Sequence, residues 1–327
     1  MDITSTPRFS SRRYAELTQK GLDALHLHAL TPRSLYAPIE YTLSEGGKRL
    51  RPMLALMAAE AFGGDPGAAV GAAAGLEVFH NFTLLHDDVM DNSPVRRGRP
   101  TVHVKWDANT AILSGDAMLT QATQLMCTVP HDVLATVLSA FNDMAMEVYE
   151  GQALDMEFES RHDVSVEEYM QMIGKKTGAL LGAAASIGAT VGGASGSQAS
   201  AMYDFGMELG LAFQICDDYL DVYGDPATFG KPIGGDILNN KKTFIYLTAL
   251  ASPMGSEIAS AATLPPTQEK IAAMTKLYTA CGAAEASRDA ILRHSELAAE
   301  ALRRADLDPE ATEAFEKLLR KLIGRQQ

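Results

Sequence analysis

The 327-residue chain is short of the residues that mark several large classes of protein. Its three cysteines, Cys127, Cys216 and Cys281, are odd in number, widely scattered and without a CxxC pair. A disulfide framework is therefore not expected, and reduced thiols packed as small core residues in a cytoplasmic protein are. Positive charge is also scarce: 28 Lys and Arg stand against 41 Asp and Glu, for a net charge of −13. That balance argues against nucleic acid as a partner, whose phosphates would be repelled. It does not argue against anionic substrates, because a local basic cluster or a bound metal inverts the field at one site. The N-terminal stretch has no apolar run of signal type, so secretion is not expected. β-branched residues are thin, and prolines fall mostly at apparent joins between helices. With 46% apolar residues dominated by Ala, Leu and Met, that leaves an all-α chain. No repeat of solenoid type and no flexible linker is apparent, which predicts a single domain over residues 1–327.

From Thr177 to Tyr203 charge is missing altogether. The run is long enough to cross a bilayer, which takes about 20 apolar residues, but its composition is wrong. Gly, Ala and Ser dominate, and Gly192 through Ser197 read as a turn between two tightly packed helices, so no transmembrane segment is expected.

The remaining pattern predicts helices over 10–28, from Thr31-Pro32 toward Ser44, from Pro52, from Asp65-Pro66, and over 107–127, 131–159, 166–190, 198–222, 241–251, 267–304 with a break near Gly282, and 309–323. Several carry start signals: proline after an N-cap residue at Asp65-Pro66 and Asp308-Pro309, and a capping box at Ser165 with Glu168. Two stretches between helices are basic. Gly46-Gly47-Lys48-Arg49-Leu50-Arg51-Pro52 sets three cations at a helix start, where backbone N–H groups are suited to a phosphate or diphosphate. Val95-Arg96-Arg97-Gly98-Arg99-Pro100 is expected to be a loop.

Between these basic stretches lies Asp87-Asp88-Val89-Met90-Asp91, closing an apolar helical run. Three carboxylates in five residues are a poor way to stabilise a helix, since Asp is a weak helix former and like charges at i,i+4 repel. The pattern recurs as Asp217-Asp218-Tyr219-Leu220-Asp221, again at the end of an apolar helix. Positions i and i+4 share a helix face, so Asp87 points with Asp91 and Asp217 with Asp221. Asp88 and Asp218 lie about 100° round, as ligands, packing partners or neither. Carboxylates on facing helices are stable with cations between them, and hard oxygen ligands with room for water and phosphate select Mg²⁺. An EF-hand calcium loop is excluded by its absent spacing. Downstream, Gly224-Asp225, the stretch from Gly230-Lys231 to Asp236, and Asn240 through Thr243 form a glycine-punctuated segment. With Lys231 and Lys241 it is a candidate gate over a bound anion.

Taken in chain order, these motifs are similar to those of the trans-isoprenyl diphosphate synthases, or polyprenyl synthetases, of the short-chain geranylgeranyl and farnesyl type. The match runs from the Gly46–Pro52 stretch through the first Asp cluster with Arg96-Arg97-Gly98, Gly151-Gln152 with Asp155, Lys176-Thr177, Phe213-Gln214 before Asp217-Asp218, and Gly230-Lys231 to Lys241. It covers about 40 to 245, and the C-terminal third is assigned to packing.

The resemblance implies a large helical bundle with a central cavity, a homodimer, and condensation of isopentenyl diphosphate with an allylic diphosphate. Asp87, Asp91 and Asp217, within the wider set of Asp88, Asp218 and Asp221, would hold three Mg²⁺ ions on the allylic diphosphate, joined by Arg96, Lys176, Lys231 and Lys241. Lys48, Arg49, Arg51, His80 and Arg97 would receive the diphosphate of isopentenyl diphosphate. Thr177 and Gln214 would face the allylic cation. Phe82, five residues before Asp87 and so roughly 7 to 8 Å along the helix, with Phe79 beyond and Thr83 beside it, would set chain length at C20, with C15 next. Two rivals remain. A class I terpene cyclase should lack the basic Gly47–Arg51 site, and a non-catalytic regulatory subunit has no reason to keep both Asp clusters and the lysines.

Overall fold

The computed structural model describes residues 8–225 and 233–324. The expected all-α architecture is what the chain adopts, and among the described residues the β-structure is one short hairpin. The helices gather into two compact units, one of residues 1–142 and 183–200, the other of 143–182 and 201–327.

The first unit contains α1 (Ser11–Asp23), α2 (Arg33–Leu43), α3 (Leu50–Ala61), α4 (Val70–Met90), strands β1 (Val95–Arg96) and β2 (Arg99–Pro100), α5 (Val102–Lys105), α6 (Ala108–Met126) and the start of α7 (Leu134–Ser160). Its centre is α4, which packs against α1, α3 and, most extensively, α6. The sequence explains why. The Asp65 side chain accepts from the Gly67 N–H at 2.8 Å, and Pro66 starts a 3₁₀ turn that leads into α4. Small residues Ala72, Ala73 and Ala74 then let neighbouring helices approach, while Leu76, Val78 and Phe79 are fully buried. Each large side chain so removed from water contributes about 1.5–3 kcal/mol. The Phe79 ring meets Phe141 of α7 edge-on at 5.4 Å and Phe82 at 5.5 Å, an aromatic cluster on the helix that ends in the first Asp cluster.

The second unit takes up the rest of α7, then α8 (Val166–Ile173), a π-helical turn (Gly174–Gly178), the beginning of α9 (Ala179–Val191), most of α10 (Gly196–Tyr223), α11 (Gly235–Leu238), α12 (Phe244–Leu250), α13 (Gly255–Ala262), α14 (Gln268–Ala280), α15 (Ala283–Ala305) and α16 (Pro309–Ile323). Its core joins Phe158, Tyr169, Met172, Leu211, Ile215, Leu220, Phe244 and Ile291. The capping box forms as expected, with the Glu168 N–H donating to Ser165 Oγ at 3.1 Å and the Ser165 N–H to Glu168 Oε2 at 2.9 Å. Asp308 caps α16.

Several expectations need correction. The first helix stops at Asp23, because His26 turns into the left-handed region. Pro32 itself occupies the N-cap of α2, and no side chain caps that helix. The helix expected from Pro52 begins at Leu50, after a left-handed Arg49. The stretch 166–190 is not uniformly α-helical but is interrupted by the π turn, and α13 lies in a stretch where the sequence pattern predicts no helix. The basic loop at 95–100 is a hairpin: Arg97 and Gly98 have φ of +51° and +77°, the pair of positive values a type I′ turn requires. Cys216 is buried, but Cys127 is exposed rather than in the core. By length and composition one described helix could span a membrane, the segment Pro66–Met90, and it is mostly buried within the protein.

The charge-free stretch packs as its small residues predict. A Cβ on Gly206 of α10 would collide with the Leu181 carbonyl and lie 2.6 Å from Gly182 Cα, so α10 touches the start of α9 backbone to backbone. Gly206→Ala should therefore lower stability by about 1–3 kcal/mol. Gly196→Ala, where a Cβ meets nothing within 4 Å, should leave it unchanged or raise it by about 0.4–1 kcal/mol. Chemical denaturation of the two variants checks both.

Candidate functional site

In the first unit the basic residues converge from three places. Arg51 stands in the first turn of α3, His80 in the middle of α4, and Arg96 and Arg97 on the hairpin. Arg97 donates to the Gly46 carbonyl. Gly47 makes this possible, since a Cβ there would sit 3.3 Å from the Arg97 guanidinium. The cations act on one another. Burial and then the charges of Arg51, Arg97 and Arg96 hold His80 well below the usual imidazole range. Burial, opposed by Glu77 and reinforced by Arg97, pushes Arg51 down to about 10. Arg51 Nε is buried with no hydrogen-bond partner among the described residues. An unsatisfied donor amid like charges is costly, and an anion accepting from all of them removes the cost.

The other two predicted cations behave differently. Arg49 donates to Gln19 Oε1 on α1 at 2.7 Å, while Lys48 is exposed on the turn. Glu77 and Asn81, which sequence reading passed over, form a buried pair on α4 with Asn81 Nδ2 3.2 Å from Glu77 Oε1. Their i,i+4 spacing on an otherwise apolar stretch was the available signal.

At the end of α4, Asp87 is partly buried and Asp91, the C-cap residue, is exposed. The Asp91 N–H donates to the Asp87 carbonyl at 2.8 Å, so the backbone stays helical and both carboxylates share a face as the spacing predicts. Asp88 is 5% exposed and accepts from Arg96, whose Nε and Nη2 both lie 2.8 Å from Oδ1. Asp88 is thus engaged by the hairpin's Arg96. Thr83 Oγ1 donates to the His80 carbonyl at 2.8 Å, and Phe82 meets His86 edge-on at 4.8 Å.

In the second unit the π turn carries Lys176 and Thr177. Lys176 Nζ lies 2.5 Å from Asp155 Oδ2 of α7. The Thr177 hydroxyl donates to Gln214 Oε1 at 3.4 Å, and Gln214 Nε2 to Asp218 Oδ1 at 3.1 Å. Asp218 also accepts from the Tyr169 hydroxyl, and from the Phe244 N–H at 3.1 Å. Burial pushes its carboxyl up to about 6 against the pull of these donors and of Lys241. Like Asp88, it is an anchor. Asp217 is partly buried on α10, and Asp221 is 8% exposed with Oδ2 accepting from the Asp236 N–H at 3.0 Å. Lys241 is half-exposed, 4.0 Å from Asp236. Loss of water lowers its ammonium, but Asp236, Asp218, Asp155 and Asp217 outweigh that and raise it. Lys231 lies outside the described residues.

Among the described residues, three or more metal-type side chains do not gather at one point. Magnesium ions are commonly held by one or two carboxylates, with water and phosphate oxygens completing the shell. The Asp87 and Asp91 pair fits that pattern.

These features define an all-α protein with two Asp-rich helix ends and a cationic cluster suited to a diphosphate. The chain belongs to the polyprenyl synthetase family, whose model matches residues 32–281. It is 40% identical over 294 residues to a short chain isoprenyl diphosphate synthase of Methanothermobacter thermautotrophicus, covering 89% of this chain and 90% of that one. It is 39% identical over 253 residues to a geranylgeranyl diphosphate synthase of Methanosarcina mazei, covering 77% and 78%. A crystal structure of a geranylgeranyl pyrophosphate synthase superposes with a TM-score of 0.89 at 42% identity, covering 96% of this chain and 99% of the other.

The cationic cluster should bind inorganic diphosphate without added metal, more weakly as salt rises. Arg51→Met should weaken that binding by about 10- to 100-fold, the loss of one charge-assisted hydrogen bond. Isothermal titration calorimetry on the two proteins measures the difference.

Proposed function

We propose that this chain condenses isopentenyl diphosphate with dimethylallyl, geranyl or farnesyl diphosphate to a short-chain all-trans prenyl diphosphate, with C20 the main product and C15 next. The observation that carries this reading is the cluster of Arg51, His80 and Arg97 in the first unit, suited to an anion and built from residues other than the aspartates of either helix end. Two diphosphates need two sites. A terpene cyclase handles one, and a regulatory subunit needs neither.

In this reading Arg51, His80, Arg97 and Lys48 hold the diphosphate of isopentenyl diphosphate, and Arg49 braces the turn through Gln19. Asp87, Asp91 and Asp217 would hold Mg²⁺, three ions when diphosphate is bound, and the metal would supply positive charge against the allylic diphosphate. Asp88 and Asp218 position these carboxylates from behind, and Asp221 divides its oxygens between that site and the Asp236 N–H. Lys176, Lys241 and Arg96, joined by Lys231 from outside the described residues, would add positive charge against the charge that develops on the leaving diphosphate as the C–O bond ionises. Thr177 and Gln214 point oxygen dipoles at the allylic cation, with the Thr177 hydroxyl orienting the Gln214 carbonyl. The double bond of isopentenyl diphosphate attacks that cation, and the departing diphosphate accepts the proton lost.

The same reading takes the two units as one domain and the protein as a cytoplasmic homodimer. The three scattered cysteines, without a CxxC pair, support the compartment, and Ile112 and Leu113, 45% and 60% exposed on α6, supply apolar surface for the partner.

The test is elongation. Purified protein with Mg²⁺, isopentenyl diphosphate and farnesyl diphosphate should give geranylgeranyl diphosphate, read by mass spectrometry. A folded protein that elongates nothing would falsify the proposal. Product length is read in the same assay from Phe82→Ala. If the Phe79, Phe82 and Phe141 cluster is the floor of the chain pocket, products longer than C20 appear. An unchanged product with a stability loss of about 3–5 kcal/mol would make Phe82 a core residue only.

A further inference from the structure

One buried cation in the second unit has no place in the reaction so far. Lys270, on α14, is 1% exposed, and its Nζ donates to Asn240 Oδ1 at 2.7 Å. Among the described residues no carboxylate pairs with it. The other buried residues of α14 include Ile271, Met274 and Tyr278, an apolar face on which a methionine would fill the same space. Burying an ammonium against a single neutral acceptor costs stability, so packing alone does not account for it.

Its acceptor sits at a decisive place. Asn240 is held at φ +52°, in the left-handed region, immediately before Lys241. The Lys241 N–H donates to the Asp236 carbonyl at 2.9 Å, and the Thr243 N–H to the Lys241 carbonyl at 3.0 Å. At the other end of this segment, Gly234 has φ +84°, and a Cβ there would lie 2.5 Å from Ile271 of the same α14. The Gly234 N–H donates to the Asp221 carbonyl at 2.6 Å. Residues 234–243 are thus clamped between α14 and the second Asp cluster.

We propose that Lys270 is a positioning residue for the condensation: through Asn240 it fixes the segment that aims Lys241 at the carboxylates of Asp217, Asp218 and Asp236. The inference rests on Lys241 acting in the proposed reaction. It gives α14, in the C-terminal third, a part in the site.

The experiment is a double-mutant cycle on the full chain with steady-state kinetics for both substrates. Lys270→Met is expected to lower kcat by about 10-fold, within the range that misplacing a catalytic group produces, with KM for isopentenyl diphosphate unchanged. In the Lys241→Ala background the same change should cost little more, because the two act as one unit. Asn240→Gly keeps the left-handed backbone and removes the acceptor. It should reproduce the loss of kcat, and it serves in place of Lys270→Met if that variant fails to fold by circular dichroism. Independent, multiplying effects of Lys270→Met and Lys241→Ala overturn the proposal, as does an unchanged kcat in both Lys270→Met and Asn240→Gly. An active wild type with an undiminished Lys241→Ala variant removes its premise, whereas an inactive wild type strikes the proposed function itself.

Discussion

Charges of one sign held together against their own repulsion are what the rest of this structure exists to support. In the first unit Arg51, His80 and Arg97 crowd: burial and the arginine charges lower the proton affinity of His80, and Arg51 Nε has no acceptor among the described residues. A flexible chain would relieve that strain by rotating side chains into water. Here the relief is blocked. Arg97 is tied to the Gly46 carbonyl by a type I′ turn that has few alternatives, and His80 stands on a helix whose other faces are packed on α1, α3 and α6. The apolar core of α4 thus sustains an electrostatic arrangement that water would otherwise dissolve.

The two Asp clusters divide labour along the helix. In each, the middle aspartate turns inward about 100° from its neighbour and is consumed by the fold: Asp88 by Arg96, Asp218 by Tyr169, Phe244 and Gln214. Asp87 and Asp217 are partly buried, and Asp91 is exposed. The clusters are not copies, however. Asp91 is exposed, whereas Asp221 is 8% exposed and stitches Gly234 and Asp236 to α10. Identical spacing in sequence has yielded an exposed last aspartate in one cluster and, in the other, a buried one that holds a loop.

That difference marks where sequence reading succeeds and fails. Helix existence followed from periodicity and caps: Ser165 with Glu168 and Asp308 with Pro309 are local, and local chemistry decides them. The two Asp clusters and the basic turn were legible for the same reason, since i,i+4 geometry needs no knowledge of the fold. The π turn at Gly174–Gly178 was not, because its extra residue is stabilised by the packing around it and leaves no mark on the periodicity. Arg49 shows the same limit. Three cations within four residues look equivalent on paper, yet a left-handed φ of +44° sends one of them to Gln19 on α1. Lys270 and Asn240, 30 residues apart, meet only after α14 has folded back.

Lys241 brings these threads to one atom. Removing water from an ammonium lowers its proton affinity, and four carboxylates raise it; the direction of the balance says which is stronger here, and it is upward. The lysine therefore already serves as counter-charge to the second cluster, in the position where a rigid helix would otherwise bear unbalanced carboxylates. A counter-charge on a flexible stem, half-exposed and 4.0 Å from Asp236, is also one that can shift toward an incoming anion when other positive charge takes its place. A loosely tethered lysine would do so at the expense of orientation. Clamping its backbone from both sides fixes the direction in which that side chain leaves the segment, through Asn240 on one side and the Asp236 carbonyl on the other.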